Sequence, residues 1–160
     1  MDRRTALLGL GVAGLMPALT RPALAQMVTS TAAILEAGGF SMQTSQIALQ
    51  KARSAHIRDF AQLEVNEQVA TAAALGAAPG SVPLAPEHAA MLQQLSSLSG
   101  SQFDAMYIRG QIMGHEQLLA LNQAAAQAGS GGREQSVAIV AVPSIQTHLY
   151  MLQGMGRGAG

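Results

Sequence analysis

Two stretches of this chain cannot belong to a regular element, and their positions constrain the fold more than any motif does. Gly76 to Pro86 holds three prolines (Pro79, Pro83, Pro86) and two glycines, and Gly129-Ser130-Gly131-Gly132 is an equally clear breaker. What lies around them is helix-compatible, because the 160 residues include 30 Ala and 16 Gln while only 11% are charged and 3% aromatic. The chain therefore reads as all-α, and its length suits one modest domain.

Caps and breakers divide that domain into five helical segments. The first runs from Thr31 to Arg53, interrupted at Gly38-Gly39, and the second from an N-cap at Ser54 to about Leu75. A short helix spans roughly Glu87 to Leu98. Ser101-x-x-Asp104 resembles a capping box and opens a long helix to about Ala128. The last helix, about Arg133 to Gln153, carries Pro143 in its interior, where a backbone donor is missing and a kink is expected. Residues 154–160 read as a disordered tail. Four of these helices are long enough to lie side by side, which predicts an up-and-down four-helix bundle with one extra short helix. With three Phe, two Tyr and no Trp, its core is built from Leu, Ile, Val, Met and Ala.

The N-terminus reads as an address. Arg3-Arg4 precede an uncharged stretch from Ala6 to Met16, and Ala23-Leu24-Ala25 supplies a small-x-small cleavage site before Gln26. The adjacent arginines, with Leu7 and Leu8 beyond them, resemble a twin-arginine export signal, although Ala6 stands where a bulkier residue is usual. Residues 1–25 are thus expected to be an export signal, 26–153 the bundle, and the location periplasmic. Thr5 to Thr20 contains Pro17 and falls short of the roughly 20 residues of a spanning helix, which argues against an uncleaved anchor, and no later segment offers a long charge-free apolar run, so no membrane span is expected after cleavage.

Composition also excludes function classes. The absence of Cys removes disulfides, thiolate metal sites and Cys nucleophiles. Nine basic residues balance nine acidic ones, which leaves no basic footprint for nucleic acid. There is no P-loop, no Gly-x-Ser-x-Gly elbow and no His-Glu-x-x-His. No catalytic residue is assigned, and no cofactor is expected unless the interior holds a metal.

Candidates for that interior come from helical spacing. At 100° per residue His115 falls between Leu118 and Leu119 on the apolar arc of the fourth helix, and His148 lies in the stripe of Val137, Ile145, Leu152 and Met155. In the second helix Phe60 and Leu63 bracket Glu67, with Glu64 one turn earlier, so one or both carboxylates can point inward. Glu67, His115 and His148 are the metal-site candidates, for iron, zinc or copper. The simpler reading makes the two histidines hydrogen-bonded core residues and the glutamates a solvated helix edge. His148, Met151 and Met155 share a face that suits Cu(I), but methionine more simply fills the core. His56 and His88 stand near helix starts, are expected to be exposed and receive no role. A di-metal bundle site needs Glu-x-x-His on two helices, and Ile112 and Ile145 stand at those positions instead.

Lys51-Ala52, Ile57-Arg58-Asp59-Phe60-Ala61-Gln62, the run Leu98-Ser99-Gly100-Ser101-Gln102-Phe103-Asp104-Ala105-Met106-Tyr107, then His115, Pro143 and His148-Leu149 together resemble the bacterial family called domain of unknown function 4142. The resemblance spans Thr31 to Gln153. It implies an exported or outer-membrane protein of ferritin-like four-helix architecture, with no common activity. Relatives commonly carry Asp-His where this chain has Glu67-Gln68, and an acid where it has Gln43, so any metal would be held by fewer ligands. The preferred reading is an exported, non-catalytic bundle acting structurally or through an unknown partner in the cell envelope. The alternative is a metal-handling or stress-related protein with an interior His/Glu site. Ligands of one ion would bring the two imidazole nitrogens within about 4 Å of each other.

Overall fold

The computed structural model describes residues 21–129 and 131–158, with side chains from residue 31 to residue 157. The expected export segment lies outside the described residues up to position 20. Five helices follow one another: α1 (Arg21–Lys51), α2 (Ala55–Leu75), α3 (Pro86–Ser97), α4 (Gly100–Gln127) and α5 (Arg133–Gly158). The described residues contain no strand. No helix among them is long and apolar enough to cross a membrane.

The four long helices form a ring in which α1 packs on α2 and α4, and α5 on α4 and, more sparsely, α2. Every neighbouring pair is antiparallel. Cross-helix contacts show this, because Ser45 meets Tyr107 while Ser41 meets Gln111, and His148 meets Glu64 while Ser144 meets Glu67. The bundle and its extra helix are as the sequence suggested, but the helix directions are up, down, down and up. Residues 76–99 make this possible, since the proline-containing loop and α3 carry the chain back along α1 before α4 begins.

Local chemistry sets the boundaries. α2 ends on Gly76, whose φ of 80° only glycine adopts freely, and its N–H bonds back to the last turn. Gly38 and Gly39 do not break α1, which is continuous. A Cβ at Gly38 would stand 2.3 Å from Gln68 Oε1, so this glycine makes room for the Gln68 side chain. The start of α4 also differs from expectation. Its N-cap is Ser99, Gly100 has φ of 62°, and Asp104 caps another helix instead of its own. The Asp104 carboxylate accepts the backbone N–H groups of Arg53 (3.1 Å) and Ser54 (3.2 Å) and closes the α1–α2 turn. Ser54, the N-cap of α2, makes no capping bond with its own side chain. Finally, α5 passes through Pro143 and continues to Gly158, where a disordered tail was expected. Met155 packs on the core, and the face at Gly156 lies against Ile108, which holds this last turn in place.

The interior is apolar at both ends and polar in between. One cluster gathers Ala48, Ile57, Phe60, Leu95, Phe103, Tyr107, Ile108 and Leu152, and the other Ile34, Ala37, Leu118, Ala125, Ala138 and Ile145. Between them Ser41, Thr44, Ser45, Glu64, Gln111, His115 and His148 are buried together. A continuous apolar core would be the cheaper way to stabilise a bundle of this size. The polar layer is therefore where function is to be sought.

Candidate metal centre

Each wall of the polar layer is contributed by a different helix. On α4, Gly110 and Gly114 lie one turn apart and let Phe40 of α1 approach closely, since a Cβ at Gly114 would stand 3.3 Å from its ring. This approach puts the Ser41 hydroxyl 2.6 Å from Gln111 Oε1 and 2.8 Å from Glu64 Oε1. Gln111 in turn donates to Thr44 Oγ1 at 2.7 Å and to the Ser41 carbonyl at 3.1 Å. One turn earlier on α4, Tyr107 reaches Ser45 Oγ at 2.8 Å, and burial pushes its phenol well above the ordinary range.

Glu64 is the centre of the arrangement and is fully buried. Its Oε1 accepts from Ser41 and from Gln68 Nε2, both at 2.8 Å, which leaves Oε2 for the imidazoles. His115 Nε2 is 3.2 Å from that oxygen, His148 Nδ1 is 3.1 Å from it, and the two nitrogens are 3.3 Å apart. Burial alone would raise the Glu64 carboxyl, but hydrogen bonds and attraction from both imidazoles outweigh it and hold the group far below the usual carboxylate range. Burial likewise favours neutral His148, yet Glu64 by hydrogen bond and charge, and Glu67 by charge, reverse it and raise its pKa.

Protonation is constrained by the other side of one ring. His115 Nδ1 lies 2.8 Å from the Gln111 carbonyl oxygen, which can only accept, so Nδ1 carries the proton. In the neutral ring Nε2 then presents its lone pair to Glu64 Oε2 and His148 Nδ1. Phe60 closes the apolar side, tilted against His115 at 5.9 Å and edge-on to His148 at 5.3 Å between ring centroids. The same ring lines a surface groove of about 1020 Å³ shared with Ile57, Ile108 and Met151, so it stands between that groove and the imidazoles.

Of the three residues read from the sequence as ligands, His115 and His148 meet as expected and Glu67 does not join them. Glu67 is half-buried at the α2–α5 seam, where Ser144 Oγ lies 2.9 and 3.0 Å from its two oxygens and His148 Nε2 lies 3.4 Å from Oε2. The carboxylate that converges with both rings is Glu64. Gln43 is half-buried and lines a separate groove with Gln46 and Leu92. His88, expected at the surface, is buried, stacks on Phe40 at 4.2 Å and bonds through Nδ1 to Glu36 at 2.8 Å, fastening α3 to α1. His56 is exposed, as expected.

An all-helical bundle with two imidazoles and a carboxylate converging in its interior is the class of protein that these features define. The model of the family described as domain of unknown function DUF4142 matches residues 16–155, and the chain belongs to that family. Among solved structures it is similar to a crystal structure of a DUF305 fragment from Deinococcus radiodurans, with 20% identity and a TM-score of 0.64 over 82% of this chain and 96% of that one. At that identity the likeness speaks for the fold alone. No curated protein matches the chain.

Proposed function

We propose that this protein binds a first-row divalent transition-metal ion, such as zinc or iron, through Glu64 Oε2, His115 Nε2 and His148 Nδ1. The observation that carries the reading is the triangle of these three atoms, with sides of 3.1, 3.2 and 3.3 Å. Metal bonds of about 2.0 to 2.1 Å in tetrahedral geometry place neighbouring ligand atoms about 3.3 Å apart, so the triangle is close to one face of such a site. Imidazole and carboxylate donors suit these ions better than a soft one. Three protein ligands leave a corner for water or another small ligand, which is the pattern of an open site.

A second reading is favoured by the carboxylates on both sides of the His148 ring, Glu64 3.1 Å from Nδ1 and Glu67 3.4 Å from Nε2, which raise its pKa. A proton on its Nδ1 can take the place of the ion, giving an imidazolium between Glu64 and Glu67 and a bundle whose polar layer is structural. Such a protein would act through a partner, without chemistry of its own. An exported, periplasmic location is part of either reading and is supported by the sequence of residues 2–25.

The two readings separate in thermal melts of metal-stripped protein with Zn(II), Fe(II) and Cu(I) titrated separately. Metal binding predicts a midpoint that rises with Zn(II) or Fe(II) concentration, as for any ligand of the native state, and no rise in His115→Gln or His148→Gln. A midpoint unmoved by all three ions contradicts it.

A further inference from the structure

We propose that Glu67 is a positioning residue for the metal centre, holding His148 in the tautomer and orientation that aim Nδ1 at the ion. The inference rests on the metal-binding reading above. Glu67 cannot share the ion with Glu64, because it faces Nε2, the nitrogen on the other side of the His148 ring from Nδ1. A carboxylate at Nε2 accepts a proton there, and a neutral imidazole protonated at Nε2 keeps its lone pair on Nδ1.

The surrounding geometry is built for that task. Ser144 lies one turn before His148 on α5, so both side chains reach across the seam to the same carboxylate of α2. The Ser144 hydroxyl donates to Glu67 and pins it beside the ring. At 3.4 Å the Glu67–His148 contact is in the ion-pair range and a few tenths of an ångström longer than an ordinary N–H···O bond of about 2.9 to 3.0 Å. His115 has the matching support, with the Gln111 carbonyl at its far nitrogen. Each imidazole thus has an oxygen behind it, a backbone carbonyl in hydrogen-bond contact for His115 and a carboxylate in ion-pair contact for His148.

Charge supports the same assignment. A divalent ion among neutral imidazoles brings two positive charges into an interior that cannot solvate them, and Glu64 alone supplies one negative charge. Glu67 supplies the second from the edge of the site, making the metal, Glu64 and Glu67 neutral together. The arrangement favours a divalent ion over Cu(I).

The test is Zn(II) affinity, measured by competition with a chromophoric chelator on the metal-stripped full chain, for the parent, Glu67→Gln and Glu67→Ala. Co(II) absorption spectra report the ligand set, and metal-free melts confirm that the variants fold. Loss of a supporting carboxylate behind a metal-bound histidine predicts affinity about 10- to 100-fold weaker for Glu67→Ala, with Glu67→Gln between it and the parent. The stoichiometry and the shape of the Co(II) bands stay those of the parent, whereas His148→Gln changes both. Parent-like Zn(II) affinity in Glu67→Ala overturns the inference alone, and a Co(II) spectrum altered as in His148→Gln makes Glu67 a ligand and overturns it too. A parent that takes up neither ion overturns the metal-binding reading and this inference with it.

Discussion

His115 Nε2 and His148 Nδ1 face each other across 3.3 Å with Glu64 Oε2 within 3.2 and 3.1 Å of them. Three helices supply these atoms, and none of them is exposed. In the neutral forms of both rings protonated on their far nitrogens, three lone pairs meet with nothing between them. Either a proton on His148 Nδ1, 3.1 Å from Glu64 Oε2, or a metal ion among the three atoms resolves that conflict.

The first prediction follows from that choice. In metal-free protein, His115→Gln leaves the Gln111 carbonyl and Glu64 Oε2 with poorer partners inside the bundle, and stability falls by about 1 to 3 kcal/mol. Urea denaturation with a chelator present checks the magnitude. Adding Zn(II) widens the gap between parent and variant, since only the parent gains from the ion.

The pH dependence of the metal-free protein has a definite sign. The folded pKa of His148 is raised above its ordinary 6.5, so its contribution is fully present below that value and is lost as pH rises through the folded pKa. The Glu64 carboxyl is lowered from 4.5, so its contribution is present above that value and is lost as pH falls through the folded pKa. The thermal midpoint from these two groups is therefore highest between 4.5 and 6.5 and declines toward alkaline pH. Zinc reverses the alkaline trend, because only neutral imidazole coordinates and the metal increment grows as protons leave. Melts from pH 6.5 into the alkaline range, with a chelator and with Zn(II), compare the two slopes.

At the α1–α2 turn the expected effects differ from what a local capping rule gives. Asp104→Ala removes an acceptor from two backbone N–H groups and costs about 1 to 3 kcal/mol. Ser101→Ala is expected to be neutral, because Ser101 is exposed inside α4 and Ser99 is the N-cap. Gly100→Ala costs about 1 kcal/mol, as its φ of 62° strains any residue with a Cβ. Denaturant melts of the three variants rank them.

Much of this architecture was legible in the sequence, for reasons that particular residues show. The breakers at Gly76 to Pro86 and Gly129 to Gly132 bound the helices, and the 3.6-residue period turned His115 and His148 inward. The choice between Glu64 and Glu67 is not legible in the sequence, because Phe60 and Leu63 bracket Glu67 as apolar neighbours, whereas in the bundle Leu63 is 43% exposed. The buried face of α2 is Ile57, Phe60, Ala61 and Glu64, and Ala61 carried the signal that the larger Leu63 obscured. Ser41, Thr44 and Ser45 were overlooked because small hydroxyls on a helix usually read as surface. Their spacing with Phe40 and Ala48 places them on the buried face of α1. His88 escaped because its partners, Glu36 and Phe40, lie about 50 residues earlier. The capping-box reading failed since Asp104 finds a better use across the turn.

His88 yields a further prediction. His88→Ala removes the stack on Phe40 and leaves the Glu36 carboxylate, among the described residues, with the Ala85 N–H. A loss of about 1 to 3 kcal/mol is expected, with no change in Zn(II) affinity, because His88 takes no part in the Glu64 triangle. Combined melts and zinc titration of this variant separate bundle stability from the metal centre.

X-ray absorption at the zinc edge, on the full chain loaded with one equivalent of Zn(II) and dialysed, tests the central claim most directly. The account predicts zinc retained one to one, with a first shell of nitrogen and oxygen at about 2.0 to 2.1 Å and the outer scattering of two imidazoles. Zinc lost on dialysis, or a shell of oxygen without imidazole scattering, would contradict it.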